Sequence, residues 1–185
     1  MEKIQFIILF SGKRKTGKDY ISENLHKKLG SIESQIIRIS EPIKSAWAEK
    51  LNLNLKELLS DGPYKEIYRK DMIKWSDEIR SKDYGFFCRE AISKANREII
   101  IVSDIRRKTD IKFFQETFPN KTKTIRISCS NNERVNRGWI FEDGVDNVQS
   151  ECDLDDYTNW DLEILNENQD INEIIDIILK SFNII

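Results

Sequence analysis

Two glycines and a lysine have the spacing of a phosphate-binding loop, and they are the clearest chemical signal in the sequence. Four residues separate Gly12 from the pair Gly17-Lys18, an apolar run at 6–10 comes just before, and a helical pattern begins just after. Backbone amides of such a loop, with the N-terminus of the next helix, can surround phosphate oxygens. We therefore predict a nucleotide site made of Gly12, Lys13, Arg14, Lys15, Thr16, Gly17, Lys18 and Asp19.

Two carboxylates are candidates for holding Mg²⁺ near this loop. Asp19 stands where a serine or threonine hydroxyl is usual, and a carboxylate can bind Mg²⁺ directly or through a water. Asp104 ends the strand predicted at 98–104, the position where P-loop enzymes place a metal-binding acid. Taken alone, Asp104 could equally cap a helix or belong to a turn, and the loop could be a glycine-rich turn with a solvated basic cluster. Together, the loop and Asp104 favour a nucleotide-and-metal site.

Further basic side chains gather where the nucleotide phosphates would lie. Arg106 and Arg107 directly follow the apolar run, and ligands of open α/β sheets bind at that end of the strands. Arg134 and Arg137 precede a stretch rich in acidic residues. Two phosphorylated reactants brought face to face would need such a surplus of cations. The pattern therefore predicts a small-molecule kinase whose acceptor is itself a phosphate.

The elements that must position these residues alternate between strands and helices. Apolar runs predict five strands, at 6–10, 36–39, 98–104, 124–129 and 160–165, and amphipathic patterns predict helices between them. We therefore expect an α/β fold, a three-layer sandwich with a five-stranded parallel sheet. The whole chain, 1–185, is predicted to form a single domain.

A helical region at about 42–95 is predicted to bind the acceptor. It includes an amphipathic helix at 64–82, whose apolar stripe leaves Lys65, Arg69 and Arg80 on its other faces. Charges in such positions are usually solvated and have no further role. Their alternative role, binding an anionic acceptor, depends on the family resemblance given below.

The segment at about 130–158 is predicted to be a lid. Helical character is present only at its start, and so long a loop in a compact domain is usually functional or disordered. A mobile lid would bring Arg134 or Arg137 to the nucleotide. The alternative is an acidic surface loop without a catalytic role.

Composition excludes several other classes of protein. The net charge of -2 and the pI near 5.7 argue against a general nucleic-acid or membrane surface. Cys88, Cys129 and Cys152 lack metal-ligand spacing and fit reduced thiols of a cytoplasmic protein. A peroxisomal address is less expected, because the chain ends in Phe-Asn-Ile-Ile. We expect a monomer.

Several blocks of the sequence resemble one family. Phe-Ser-Gly-Lys-Arg-Lys-Thr-Gly-Lys-Asp, at 10–19, looks like the P-loop of the animal-type phosphomevalonate kinases, so that Asp19 fits that family's own loop. The resemblance continues in order over nearly the whole chain. Further similar blocks lie at 64–66, 69–73, 85–89, 102–107, 137–139 and 151–155.

This resemblance implies a fold like that of the nucleoside monophosphate kinases and an ATP- and Mg²⁺-dependent conversion of 5-phosphomevalonate to 5-diphosphomevalonate. Isoprenoid and sterol precursors are made through that reaction. The resemblance also implies that Lys18, Arg106 and Arg137 are catalytic, with Arg134 assisting from the lid. The residues that it implies for binding the small-molecule acceptor are Lys65, Arg69, Arg80, Arg106, Arg107 and Asn166, of which Asn166 could border either the nucleotide or the substrate pocket.

Two other functions remain open from the sequence. A nucleoside monophosphate kinase would need a pocket for the base of its acceptor, which the charge-rich helix at 64–82 does not offer in any obvious way. A non-catalytic ATP-binding module would not need Lys18, Asp104 and the two lid arginines, yet all are present.

Overall fold

The apolar runs form a five-stranded parallel sheet in the computed structural model, which describes residues 3–60 and 62–184. The strand order is β2-β3-β1-β4-β5, and every neighbouring pair is parallel. The strands are β1 (Phe6–Ser11), β2 (Ser34–Ile37), β3 (Ile99–Ile105), β4 (Thr122–Ser128) and β5 (Leu162–Leu165).

Helices connect successive strands within the described residues. Gly17, in a left-handed conformation, precedes α1. Pro63 begins α4, where a backbone N–H would have no partner within the helix, so the proline costs no helical hydrogen bond. The helices are α1 (Lys18–Leu29), α2 (Ser40–Leu51), α3 (Leu55–Leu59), α4 (Pro63–Lys82), α5 (Phe86–Ser93), α6 (Lys108–Thr117), α7 (Asn131–Asn136), α8 (Gln149–Cys152) and α9 (Ile171–Phe182).

Both faces of the sheet are covered by apolar side chains. Leu9 of β1 lies in one cluster with side chains of α5 and α6, whereas its neighbours Ile8 and Phe10 lie in the other with side chains of α1 and α9. Alternate residues of a strand point to opposite faces, so a strand covered on both sides reads as a continuous apolar run. The predicted three-layer α/β sandwich is thereby confirmed.

The strand order sets where the chemistry can occur. β1 and β3 are neighbours and parallel, so the loop after β1 and the residues after β3 emerge at one edge of the sheet. Gly12 to Gly17 follow β1, whereas Arg106 and Arg107 follow β3. Two segments far apart in the sequence are thus brought together by the sheet alone.

Two predicted elements have different boundaries. β2 spans Ser34–Ile37 rather than 36–39, because the amide of Ile39 leaves the sheet and donates to Asp104. The segment 130–158 has a second short helix, α8, beyond the helix expected at its start. Val145 and Leu154 of this segment are buried, so the segment 130–158 packs on the rest of the domain.

The described residues contain no helix with the length and apolar character needed to cross a bilayer. Cys88, Cys129 and Cys152 are free thiols, as the sequence predicts, and burial raises the pKa of each.

Candidate active site

The P-loop, Gly12 to Gly17, is held by close contacts that leave no room for larger residues. A Cβ atom at Gly12 would lie 2.6 Å from the carbonyl oxygen of Ile127 in β4. Gly17 has φ +92°, and a Cβ there would lie 2.3 Å from Nδ2 of Asn166. Lys15 also has a positive φ, 64°. Glycine is therefore required at both ends of the loop, for space and at Gly17 also for its backbone conformation.

Lys18 begins α1 and lies nearly buried, with its side chain only 7% exposed. Its Nζ donates to both carboxylate oxygens of Asp19, at 2.9 and 2.8 Å. Burial and the nearby charge of Arg106 lower the pKa of Lys18, whereas Asp19 acts in the opposite direction. The ammonium thus has little water around it, and its charge is available to a bound phosphate.

Asp104 belongs to β3 and caps the N-terminus of α2. Its Oδ1 accepts from the amide of Ile39 at 2.7 Å, and its Oδ2 accepts from the amide of Ser40 at 2.9 Å. The capping role and the metal role considered from the sequence are compatible, because each carboxylate oxygen has a second lone pair. The same side chain lines a cavity with Lys18 and Asp19.

The carboxylates fit Mg²⁺ in a particular way. Within residues 3–60 and 62–184, no three His, Cys, Asp or Glu side chains are grouped closely enough to hold a metal ion by themselves. Mg²⁺ is commonly held by one or two carboxylates, several waters and the phosphates of a nucleotide. Asp19, whose side chain is 58% exposed, and Asp104 suit such a site rather than a protein-only cage.

One cavity of about 590 Å³ brings together most of the predicted acceptor residues. It lies between the start of α1, the segments that follow β2 and β3, and α4. A cavity of this size suits a small molecule, and its cations suit an anionic one. The predicted site residues that line it are Lys18, Asp19, Lys65, Arg69, Arg80, Asp104, Arg106 and Arg107.

The cavity-lining arginines have different partners. Nη1 of Arg69 donates to both carboxylate oxygens of Glu66, at 2.9 and 2.8 Å, near the surface, where such pairs are weak and easily exchanged. Arg106 reaches towards the P-loop, and its Nη1 lies 3.3 Å from the carbonyl oxygen of Gly12. Arg107 instead reaches α4, where it binds Asp77. The two adjacent arginines therefore serve different walls of the cavity.

The two arginines of the segment 130–158 contact the backbone of the P-loop. Nε of Arg134 donates to the carbonyl of Arg14 at 2.9 Å, and its guanidinium lies over the ring of Trp139, 3.7 Å from the centroid. Nη1 of Arg137 donates to the carbonyl of Thr16 at 3.1 Å. Both arginines therefore lie at the nucleotide loop, away from the residues that line the acceptor cavity.

Asn166, expected to border the nucleotide or substrate pocket, lies at the P-loop and is not among the residues that line the cavity. Its Nδ2 donates to the carbonyl of Thr16 at 2.8 Å, and its own carbonyl accepts from Arg137 at 3.0 Å. β5 ends one residue earlier and delivers this amide behind the P-loop. The structure therefore places Asn166 as a support of the loop that sequence reasoning assigned to phosphates.

Acidic residues of the segment 142–156 bind cations of the site. Lys13 pairs with Asp155 at 2.6 Å, and Arg14 pairs with Asp146 at 3.3 Å. Glu151, only 9% exposed, accepts from Nη1 of Arg106 at 2.6 Å. The charge imbalance visible in the sequence is thus largely a set of direct ion pairs.

Sequence reasoning missed several residues that line the cavity or support it. Arg38 lines the cavity and directly follows β2. A position just after a strand is the signal that identified Arg106, but the sequence predicted this strand to end at 39 and so placed Arg38 inside it. Ser150 and Glu151 line the cavity from α8, a helix too short to predict. Asp110, a nearly buried residue of the cavity lining, had no signal beyond its place in the first turn of α6.

Known proteins similar to this chain point to one family. The family model described as "Phosphomevalonate kinase" matches residues 10–120. A curated "Phosphomevalonate kinase" of Drosophila melanogaster is 55% identical over 179 residues, which cover 94% of each chain.

Solved structures support the fold at much lower identity. A shikimate kinase from Aquifex aeolicus has a TM-score of 0.56 at 13% identity, with 96% of each chain covered. A gluconokinase from Sinorhizobium meliloti has a TM-score of 0.51 at 11% identity, covering 97% of this chain and 93% of its own. These similarities concern the fold alone.

Proposed function

The chain belongs to the phosphomevalonate kinase family, and on that premise we propose how its residues perform the reaction. The γ-phosphoryl group of ATP is transferred to 5-phosphomevalonate, which gives 5-diphosphomevalonate and ADP in the mevalonate pathway to isoprenoids. The observation that supports this proposal is that one cavity is lined both by Lys18, directly after the P-loop, and by the cations of α4 and of the segment after β3. Donor and acceptor phosphates can meet there.

The P-loop and the arginines that touch it hold ATP. The amides from Gly12 to Asp19 surround the triphosphate at the N-terminus of α1, and Lys18 stabilises the charge on the transferring group. Arg134 and Arg137 are already bonded to the loop carbonyls and act from the nucleotide side. Asn166 keeps the loop in place from behind.

Asp19 and Asp104 would hold Mg²⁺ beside the phosphates. The ion would supply positive charge that neutralises part of the charge on the phosphates. Asp104 would offer the ion the lone pairs that it does not use to cap α2. Asp19 would exchange its bond to Lys18 for the metal once a phosphate takes the ammonium.

The acceptor binds the cations on the opposite side of the cavity. Arg106 and Arg107 come from the end of β3, and Lys65, Arg69 and Arg80 come from α4. These five side chains can bind both the phosphate and the carboxylate of 5-phosphomevalonate. Arg106 lies nearest the P-loop and is suited to bridge the two phosphates as they approach.

The chemistry requires placement more than proton transfer. An oxygen of the acceptor phosphate attacks the γ-phosphorus of ATP, the bond to the β–γ bridging oxygen breaks, and ADP leaves with that electron pair. The attacking oxygen already carries negative charge at neutral pH, so no dedicated general base is needed. Alignment of the reactants and neutralisation of their charges by Lys18 and Arg106 carry the catalysis.

The remaining features of the proposal concern the protein as a whole. We place it in the cytoplasm as a monomer, with the acceptor region at about 42–95 and the lid at about 130–158 in one domain. The three free thiols fit a reducing compartment. Size-exclusion chromatography with light scattering tests the monomer, for which a dimer mass would be the contrary result.

A coupled assay of ADP release tests the function. MgATP is combined with 5-phosphomevalonate and, in parallel, with AMP, CMP, UMP or GMP. We expect turnover with 5-phosphomevalonate alone. Turnover with a nucleotide instead would keep the fold and the P-loop but reject the acceptor, whereas ATP binding without turnover on any acceptor would indicate a non-catalytic module.

A further inference from the structure

A buried carboxylate in the lining of the cavity joins its two arginine-bearing walls. Asp110, the third residue of α6, is only 1% exposed. Its Oδ1 accepts from Nη1 of Arg80 at 2.5 Å. Its Oδ2 accepts from the backbone amides of Arg106 at 3.2 Å and Arg107 at 3.1 Å. One side chain therefore fixes α4 against the end of β3.

These contacts exceed what helix capping requires. An acidic residue at the third helical position commonly reaches back to the start of its own helix, and Oδ2 of Asp110 does so. Oδ1 instead binds Arg80, which lies 30 residues earlier in the chain and on another helix. Burial alone would lower the pKa of Arg80, but the opposite charge and hydrogen bond of Asp110 outweigh it and raise that pKa.

We propose that Asp110 is a positioning residue for the acceptor: it sets the guanidinium of Arg80 and the backbone of Arg106 and Arg107 in the arrangement that receives the acceptor phosphate. This inference rests on the proposed function for the identity of the acceptor. The carboxylate oxygens of Asp110 accept hydrogen bonds from Arg80, Arg106 and Arg107. Asp110 therefore acts on the acceptor through these three arginines, each of which lines the cavity.

Charge and position predict opposite results when Asp110 is changed. Asp110→Asn removes one negative charge beside a cluster of cations, and a purely electrostatic role would make anion binding tighter. The asparagine side chain has one carbonyl oxygen, which can accept from Arg80 or from the two backbone amides. Its NH2 group must then face the other of these two sets of donors, with which it cannot form a hydrogen bond. A positioning role therefore makes anion binding weaker, even though the cavity has become more positive.

The experiment separates the two reactants. We expect Asp110→Asn to raise KM for 5-phosphomevalonate by about tenfold to a hundredfold, the range given by hydrogen bonds to charged groups. KM for ATP should change by less than about threefold. The substitution touches no contact of the nucleotide, and distant sites usually affect one another by no more than that. Equal changes in both values, or a lower KM for the acceptor, would overturn the inference.

Asp161→Asn is the matched control. Asp161 accepts from the amide and the hydroxyl of Thr124, both at 2.8 Å, and lies outside the cavity. The substitution removes the same charge and also weakens a backbone anchor, although Asp161 is exposed and accepts from one backbone amide where Asp110 accepts from two. We expect a lower melting temperature with both KM values retained. A rise in the acceptor KM in this control would assign the effect of Asp110→Asn to general destabilisation.

Inorganic phosphate tests Asp110 without relying on the acceptor's identity. Its Kd, measured by calorimetry, should rise in Asp110→Asn, and an unchanged or lower Kd would overturn the positioning role. Absence of turnover on 5-phosphomevalonate by the unaltered protein would instead overturn the proposed function. Should Asp110→Asn fail to fold, Asp110→Glu keeps the charge but displaces the carboxylate. The same rise in acceptor KM is then expected, and a retained KM would contradict the inference.

Discussion

Nη1 of Arg106 contacts both the carboxylate of Glu151, at 2.6 Å, and the carbonyl oxygen of Gly12, at 3.3 Å. A single guanidinium thus joins the acidic segment to the P-loop at the place where the two phosphates should meet. The carboxylate of Glu151 occupies a hydrogen-bonding direction that an incoming phosphate would need. Glu151 and Asp110 are therefore expected to act in opposite ways, since one competes with the ligand and the other supports its binding residues.

Glu151→Gln should tighten the binding of 5-phosphomevalonate. Loss of a charge-assisted competitor on Arg106 predicts a Kd lower by about tenfold, measured by calorimetry. Asp156→Asn is the control, because Asp156 lies in the same segment, carries the same charge and pairs with the exposed Lys108 instead. Its Kd should stay unchanged. Weaker binding in Glu151→Gln would mean that Glu151 positions Arg106 rather than competing for it.

Lys18→Met should nearly abolish turnover and leave the fold intact. Loss of a preorganised charge at the transferring group lowers kcat by about a hundredfold or more. The lowered pKa of Lys18 means that folding disfavours its charged form, so a neutral side chain should keep or raise the melting temperature. Steady-state kinetics and calorimetry check both points. An active variant would refute the role of Lys18, and a large fall in melting temperature would make that residue structural.

The pH profile should report the same lysine. Because the pKa of Lys18 lies below its ordinary 10.5, the ammonium loses its proton at a lower pH than a solvated lysine would. We expect kcat/KM for ATP to fall on the alkaline side with a midpoint below 10.5. In the kcat profile the fall should come at higher pH, since bound triphosphate favours the charged form. A kcat limb at lower pH than the kcat/KM limb would contradict this assignment.

Gly17→Ala should disrupt the nucleotide loop. The new Cβ would lie 2.3 Å from Nδ2 of Asn166 in addition to the strain of a positive φ, so the amide that supports Thr16 must move. We expect loss of measurable ATP binding by calorimetry. Gly30→Ala is the control, since Gly30 has φ +84° and no atom within 4 Å of its Cβ. That variant should lose only folding stability, by about 1–3 kcal/mol, because Gly30 has ψ 151° and lies in a region that only glycine adopts readily. Retained ATP affinity in Gly17→Ala would contradict the role of Gly17.

The sequence predicts those parts of the fold and the site that depend on local pattern. The apolar runs identify β1 and β3, and the spacing from Gly12 to Lys18 identifies the loop between β1 and α1. The carboxyl ends of parallel strands lie at one edge of the sheet. For this reason the sequence alone predicts that Lys18 and Arg106 lie close together.

Other features depend on contacts that no local pattern encodes. Arg106 and Arg107 are adjacent in sequence, yet one reaches the P-loop and the other α4. The predicted strand end at 165 agrees with β5, but no periodicity shows that the side-chain amide of Asn166 donates to the carbonyl of Thr16. The bond between Lys13 and Asp155 spans 142 residues and requires the folded segment.

The pairing of basic loop residues with the acidic segment has a consequence for how quickly a substrate arrives. Lys13, Arg14 and Arg106 each face a carboxylate, so their fields largely cancel beyond a Debye length, about 8 Å in physiological salt. An approaching anion is therefore drawn in only at contact, where its phosphate replaces a carboxylate. The association rate constant for 5-phosphomevalonate should consequently change little with ionic strength, although the bound state is held by charge.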